Sequence, residues 1–139
     1  MRLCVLFVAV CAAGFAGTAT EAKPVTITGK LVERAGKPPA LETADHHFIS
    51  LDGDKGTKAV LNDKRLDGFD MVAKGHFTGP DQFQVDPIYK HAMFVRKDGH
   101  LKIITYWCST CSIRYYTPGK CWCCQRETTL DLRDPGQDQ

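Results

Sequence analysis

At 139 residues the chain has room for one compact domain with a small appendage, but not for two ordinary domains. With 43% hydrophobic and 24% charged residues it has a folded, globular composition rather than a disordered one. Its formal charge of +2 comes from interspersed acidic and basic residues, so electrostatics predicts no nucleic-acid binding and names no partner.

Residues 1–22 carry one basic residue, Arg2, then an apolar run from Leu3 to about Ala16, and end in small residues leading to Ala19 and Ala22. This is the pattern of a secretory signal, with a run too short for a comfortable membrane span. An uncleaved anchor is the competing reading, and lipid attachment at Cys11 is disfavoured by Val10 before it. Cleavage implies a secreted or periplasmic chain with no stable membrane insertion afterwards. It also removes Cys4 and Cys11, leaving Cys108, Cys111, Cys121, Cys123 and Cys124. An exported compartment favours disulfides, yet an odd count leaves at least one thiol free, metal-bound or paired with another molecule.

Residues 23–105 read as a small β-domain. In "VTITGKLV" apolar Val25, Ile27 and Leu31 alternate with polar residues, the period of a half-buried strand. "ERAGKPPALETADHH" contains Gly36, Pro38 and Pro39 and is expected to break regular structure. "HFISLDGD" is a second strand ending in an Asp-Gly turn, and "TKAVLNDKRLDG" is the one helix-like stretch, closed by Gly68. "FDMVAKGHF" and "DQFQVDPIY" follow as strands. In "AMFVRKDGHLKIITYW" Asp98-Gly99 sits between two apolar runs, a strong hairpin signal. About six strands and one short helix predict a mainly β fold, a small barrel or sandwich of the oligonucleotide/oligosaccharide-binding (OB) type, with the helix between the middle strands. Residues 131–139, "DLRDPGQDQ", are polar and are expected to fray as a flexible tail.

Residues 106–130 carry the chemistry. Cys108 and Cys111 form one CxxC, Cys121 and Cys124 a second, with nine residues between the pairs. Each short loop can aim two thiolates at one ion, and Pro118-Gly119 supply a turn that returns the second pair to the first. Cys108, Cys111, Cys121 and Cys124 are therefore the expected metal ligands, with Zn2+ first and Cu+ as the softer alternative. Two other readings compete: a disulfide-stapled extracytoplasmic module whose barrel face binds a ligand, and a thiol-disulfide redox protein. Cys123 is the thiol left without a role.

The segment "YWCSTCSIRYYTPGKCWCCQ" resembles the heavy-metal-binding module appended to bacterial copper-transport ATPases and metal-efflux adaptors. That module runs Tyr-x-Cys-x-x-His, a spacer, then Pro-Gly-x-Cys-x-x-Cys and a nearby Met. The match covers Tyr106, Cys108, Pro118, Gly119, Lys120, Cys121 and Cys124, with Cys111 where the module has His. Ser109 replaces its Pro, and Gln125, Arg126 and Glu127 stand where its Met would fall. The resemblance implies metal binding more than copper transport. The remainder resembles uncharacterised exported bacterial proteins and implies no activity.

Other residues have plainer readings. His46 and His47 point to opposite faces of a strand entrance and so do not share an ion easily. His76, His91 and His100 read as surface or hydrogen-bonded residues. "DGDKG" (residues 52–56) lacks the further carboxylates of a calcium loop and reads as a turn. Phe83 and Val85 fall on one strand face and read as core, with Phe77 and Tyr89 nearby. Tyr106, Trp107, Tyr115, Tyr116 and Trp122 are expected to give the thiol segment its hydrophobic cover. With no nucleophile, base and orienter set, the chain reads as a binding protein whose predicted partner is a metal ion, rather than as an enzyme.

Overall fold

The computed structural model describes residues 23–137, so the secretory signal expected over residues 1–22 lies outside the described residues, as do the last two positions. Among the described residues, nine strands form one continuous sheet, of which five close into a barrel. Strand β1 (Val25–Val32) pairs with β2 (Ala40–Glu42), which pairs with β3 (Phe48–Asp52), all antiparallel. The helix α1 (Lys55–Leu61) and a 3-10 turn (Lys64–Leu66) follow, then β4 (Asp70–Gly79) and β5 (Gln82–Val85). Parallel pairing of β3 with β5, and antiparallel pairing of β4 with both β5 and β1, complete the ring in the order β1-β2-β3-β5-β4-β1. This is the expected OB-like barrel, with its helix between the third and fourth strands.

The alternation read from the sequence appears as burial. On β3, Ile49 and Leu51 are buried while Phe48 and Asp52 are exposed. Phe83 and Val85 of β5 are buried, and Phe77 meets Phe83 edge to face at 5.0 Å. Helix α1 plugs the barrel with Val60 and Leu61, and the 3-10 turn adds Leu66. Asp54 caps the helix, its carboxylate accepting from the Thr57 N–H at 2.7 Å and the Ile88 N–H at 3.3 Å. The Thr57 bond, the largest influence, holds its carboxyl below the ordinary value. Asp54→Ala is expected to destabilise the fold by about 1 kcal/mol, measured as a lower urea midpoint with an unchanged slope. Because the folded carboxyl is the more acidic, this contribution is present above the ordinary pKa of 3.8 and is lost as pH falls through the depressed value.

The sheet continues past the barrel. Strand β6 (Met93–Lys97) pairs with β4 and with β7 (His100–Cys108). Asp98 and Gly99, at φ 51° and 77°, form the predicted two-residue hairpin turn. Two strands flank the far half of β7: β8 (Ile113–Tyr115) and β9 (Thr129–Arg133). The hydrophobic core runs without a break from the barrel residues Leu31, Leu41 and Phe83 to Val95, Ile104 and Tyr106. Strand β7 therefore crosses the boundary expected between residues 105 and 106, carrying the barrel's sheet into the cysteine segment.

Three expectations are corrected. The Pro-rich segment was expected to be irregular but contains β2, because Ala40 and Leu41 are fully buried between β1 and β3. The tail expected to fray from residue 131 is a strand as far as Arg133: Leu130 and Leu132 pack on the core, and Lys102 pairs with Asp134 at 2.5 Å. Nine strands replace about six, the additions being the short β2, β8 and β9.

Candidate metal centre

The first cysteine turn is the tip of the β7–β8 hairpin. Cys108 ends β7 opposite Ile113, and the chain turns through Cys111 and Ser112, the latter in the left-handed region at φ 55°. The second turn has a related build. The Gln125 N–H donates to the Cys121 carbonyl and the Cys121 N–H to the Arg126 carbonyl, both at 2.8 Å, with Gln125 left-handed at φ 59°. Each CxxC is thus closed by a left-handed residue immediately after its second cysteine. Such positions favour glycine or asparagine, so serine and glutamine there hid the signal in the sequence.

Between the turns, Pro118 leads into Gly119, whose φ of 137° only glycine adopts readily. The Gly119 carbonyl accepts from the Thr128 N–H at 3.0 Å and from its hydroxyl at 2.7 Å. Thr128 is buried, and its own carbonyl accepts from the Arg65 guanidinium at 2.8 Å. Arg65 belongs to the 3-10 turn of the barrel; it pairs with Asp63 at 2.9 Å and lies 5.1 Å above the Tyr106 ring. Its guanidinium and backbone N–H hold the Asp63 carboxyl below its ordinary value despite burial. On the other side, Arg114 of β8 reaches Thr105 Oγ1 at 2.8 Å and Asp131 of β9 at 2.6 Å, tying three strands together. Neither arginine was marked by sequence pattern, because the partners that tie them to this segment, Thr128 for Arg65 and Asp131 for Arg114, are distant in the chain.

These supports bring the four expected ligands together. The Sγ atoms of Cys108, Cys111, Cys121 and Cys124 all lie within 4.8 Å of one another, with Cys108 and Cys124 at 3.5 Å. Four sulfurs tetrahedrally disposed at about 2.3 Å from a metal stand about 3.8 Å apart, so the cluster matches the required spacing with little adjustment. Among the described residues it is the one group of His, Cys, Asp and Glu side chains drawn together in this way. All five described cysteines are free thiols: Cys108 and Cys121 are buried, Cys111 and Cys124 half-buried, and Cys123 exposed.

One thiol is prepared electrostatically. The Tyr115 hydroxyl donates to Cys121 Sγ at 3.2 Å, and with the backbone N–H groups of Cys124 and Cys123 it draws the Cys121 thiol down to about 6. Burial and this same bond push the Tyr115 hydroxyl up to about 12. Cys111 moves the other way, its proton held chiefly by hydrogen bonding with Cys123 and then Cys124. In metal-free protein, the thiolate absorbance near 240 nm should therefore show one early ionisation centred near pH 6. Tyr115→Phe should move that step upward toward the ordinary thiol range of about 8.5.

The remaining candidates lie elsewhere or behave as surface groups. His46 meets Glu42 at 2.6 Å and His47 meets Asp81 at 2.7 Å, so the two histidines have separate partners. His91 packs edge to face on Tyr116 at 5.0 Å, and His100 is exposed at the hairpin turn. The "DGDKG" segment is the entry to α1. Of the aromatics, Tyr106 is buried and Tyr115 half-buried, but Trp122 is 76% exposed and gives the sulfurs no cover. Among the described residues, no helix is long and apolar enough to cross a membrane. Comparison of the chain with protein-family models, curated proteins and solved structures found no match.

Proposed function

We propose that this is an exported metal-binding protein in which Cys108, Cys111, Cys121 and Cys124 hold one zinc ion that fastens the C-terminal cysteine segment to the barrel. The observation that carries this reading is the convergence of four sulfurs within 4.8 Å, two of them buried. Four thiolates suit zinc, which accepts tetrahedral sulfur ligands without redox demands of its own. They also suit copper(I), the softer competitor. A structural role accords with the paucity of packing at this end: between Cys108 and Thr128 only Cys121 is buried, so a metal would supply the cross-link that hydrophobic contact does not. Export rests on the pattern of residues 1–22, and the partial likeness of the cysteine segment to the bacterial heavy-metal-binding module supports the same chemistry.

Elemental analysis of the full chain, purified from an exported fraction under reducing conditions, tests the reading. One zinc per chain is the expected result. A chain with reduced thiols that neither carries zinc nor takes it up on titration sinks the proposal, and copper(I) in its place would overturn the choice of ion.

A further inference from the structure

The two cysteine turns meet sulfur to sulfur. Cys108 Sγ, at the end of β7, lies 3.5 Å from Cys124 Sγ, 16 positions further along the chain. We propose that these two residues are a disulfide site: in chain that holds no metal, a low-molecular-weight disulfide oxidises them to a Cys108–Cys124 bond, which fastens the two turns in place of the ion. The bond itself goes beyond the metal reading above, and only its exclusion by zinc rests on that reading.

Geometry selects this pair. The sulfurs already face each other across the turns, so an approach of about 1.5 Å brings them to the roughly 2.0 Å of a disulfide. Cys121 is fully buried and its sulfur receives the Tyr115 hydroxyl at 3.2 Å, a bond that a Cys121–Cys124 bridge forfeits. Cys123 adjoins Cys124 in the chain, and neighbouring Cα atoms about 3.8 Å apart fall short of the roughly 4.4–6.8 Å that an unstrained disulfide spans. A Cys108–Cys111 bridge is the main rival, but it stays within one hairpin tip and leaves the second turn unlinked. A bond across 16 positions also removes more freedom from the unfolded chain than one inside a CxxC, and so stabilises the fold more. This end has need of it, since between Cys108 and Thr128 only Cys121 is buried.

Access sets the order of events. Cys124 is half-buried and can be reached from solvent, whereas Cys108 is buried and needs to reach only the sulfur beside it. The chemistry balances as two exchanges. The Cys124 thiol attacks a disulfide R–S–S–R, forming Cys124–S–S–R, and its proton leaves with R–SH. The Cys108 thiol then attacks the Cys124 sulfur, forming the Cys108–Cys124 bond and releasing a second R–SH that carries the Cys108 proton. Two electrons have passed from the protein thiols to the small disulfide. Because both residues are proposed ligands, the bond leaves a metal at most two thiolates of the four.

The test uses the full chain, reduced, stripped with a chelator, then treated with oxidised glutathione and mapped by peptide mass spectrometry without reductant. Cys108 joined to Cys124 is the expected bridge; Cys123→Ser should retain it and Cys124→Ser should lose it. A bridge confined to one CxxC, a bridge through Cys123, or glutathione adducts without any bridge would each overturn the inference. A second sample, loaded with zinc and assayed for its zinc content first, should form the bond roughly tenfold more slowly, because both sulfurs are then engaged. Equal rates in a chain shown to hold zinc would overturn the exclusion. A chain that takes up no zinc yet forms the Cys108–Cys124 bond sinks the metal reading and leaves the disulfide site standing.

Discussion

Cys121→Ser is expected to weaken zinc binding by at least about a hundredfold, because an even share of the roughly 10–16 kcal/mol of a structural zinc site is about 3 kcal/mol per ligand. Competition with a chelator of known affinity measures the loss. Cys121 is the most telling ligand: it is fully buried, its sulfur receives the Tyr115 hydroxyl, and its backbone closes the second turn through Gln125 and Arg126. The same competition should find Cys123→Ser within about twofold of the unaltered chain, since an exposed non-ligand contributes little to affinity. Equal losses in both variants would contradict the four-ligand assignment. Chelation of the unaltered chain should also release amide protection over residues 108–128, while β3 to β5 retain theirs.

Gly75→Ala should be the most damaging single-methyl change in the barrel. A Cβ at this position would stand 2.0 Å from the Gln84 carbonyl oxygen and 2.9 Å from the Phe83 ring. Gly75 lies opposite Val25 on one edge of β4 and opposite Val85 on the other, at the point where one strand closes the barrel against two neighbours. The obstructing atom is backbone, so no rotamer change relieves it and β4 and β5 must separate. A loss of about 3 kcal/mol is expected, the upper end for overpacking, and a fall in Tm of roughly 10 °C for a domain of this size. Gly79→Ala, where the nearest atom is Gln82 Oε1 at an ordinary 3.4 Å, is the control and should change Tm little. Similar midpoints for the two variants would show that the β4–β5 approach is not what confines residue 75.

Much of the barrel was legible because its signals are local. Alternation at Ile49 and Leu51, and at Phe83 and Val85, reports a strand lying between core and solvent, and Asp98-Gly99 reports a turn that only left-handed residues complete. The short strands were not legible in the same way. β2 has only three residues, beside two prolines, and exists because β1 and β3 bury it from both sides. The tail through Arg133 reads as polar, yet Leu130 and Leu132 are held by a strand some twenty-five residues earlier. Strands of this length gain stability mainly from their neighbours, so their own residues carry a weak signal.

For the thiols the division is similar. The sequence by itself determined which cysteines can act in pairs, because three-residue spacing is a covalent constraint that lets one turn present two sulfurs toward the same side. Tertiary structure alone decided that the two turns meet: β7 delivers Cys108 from the barrel's sheet, Arg65 grips Thr128 across 63 positions, and Thr128 in turn fixes Gly119 ahead of Cys121. It also decided the role of Tyr115, whose hydroxyl reaches Cys121 only because β8 folds back along β7. Those contacts depend on directions in space between segments far apart in the chain, and residue spacing carries no record of them.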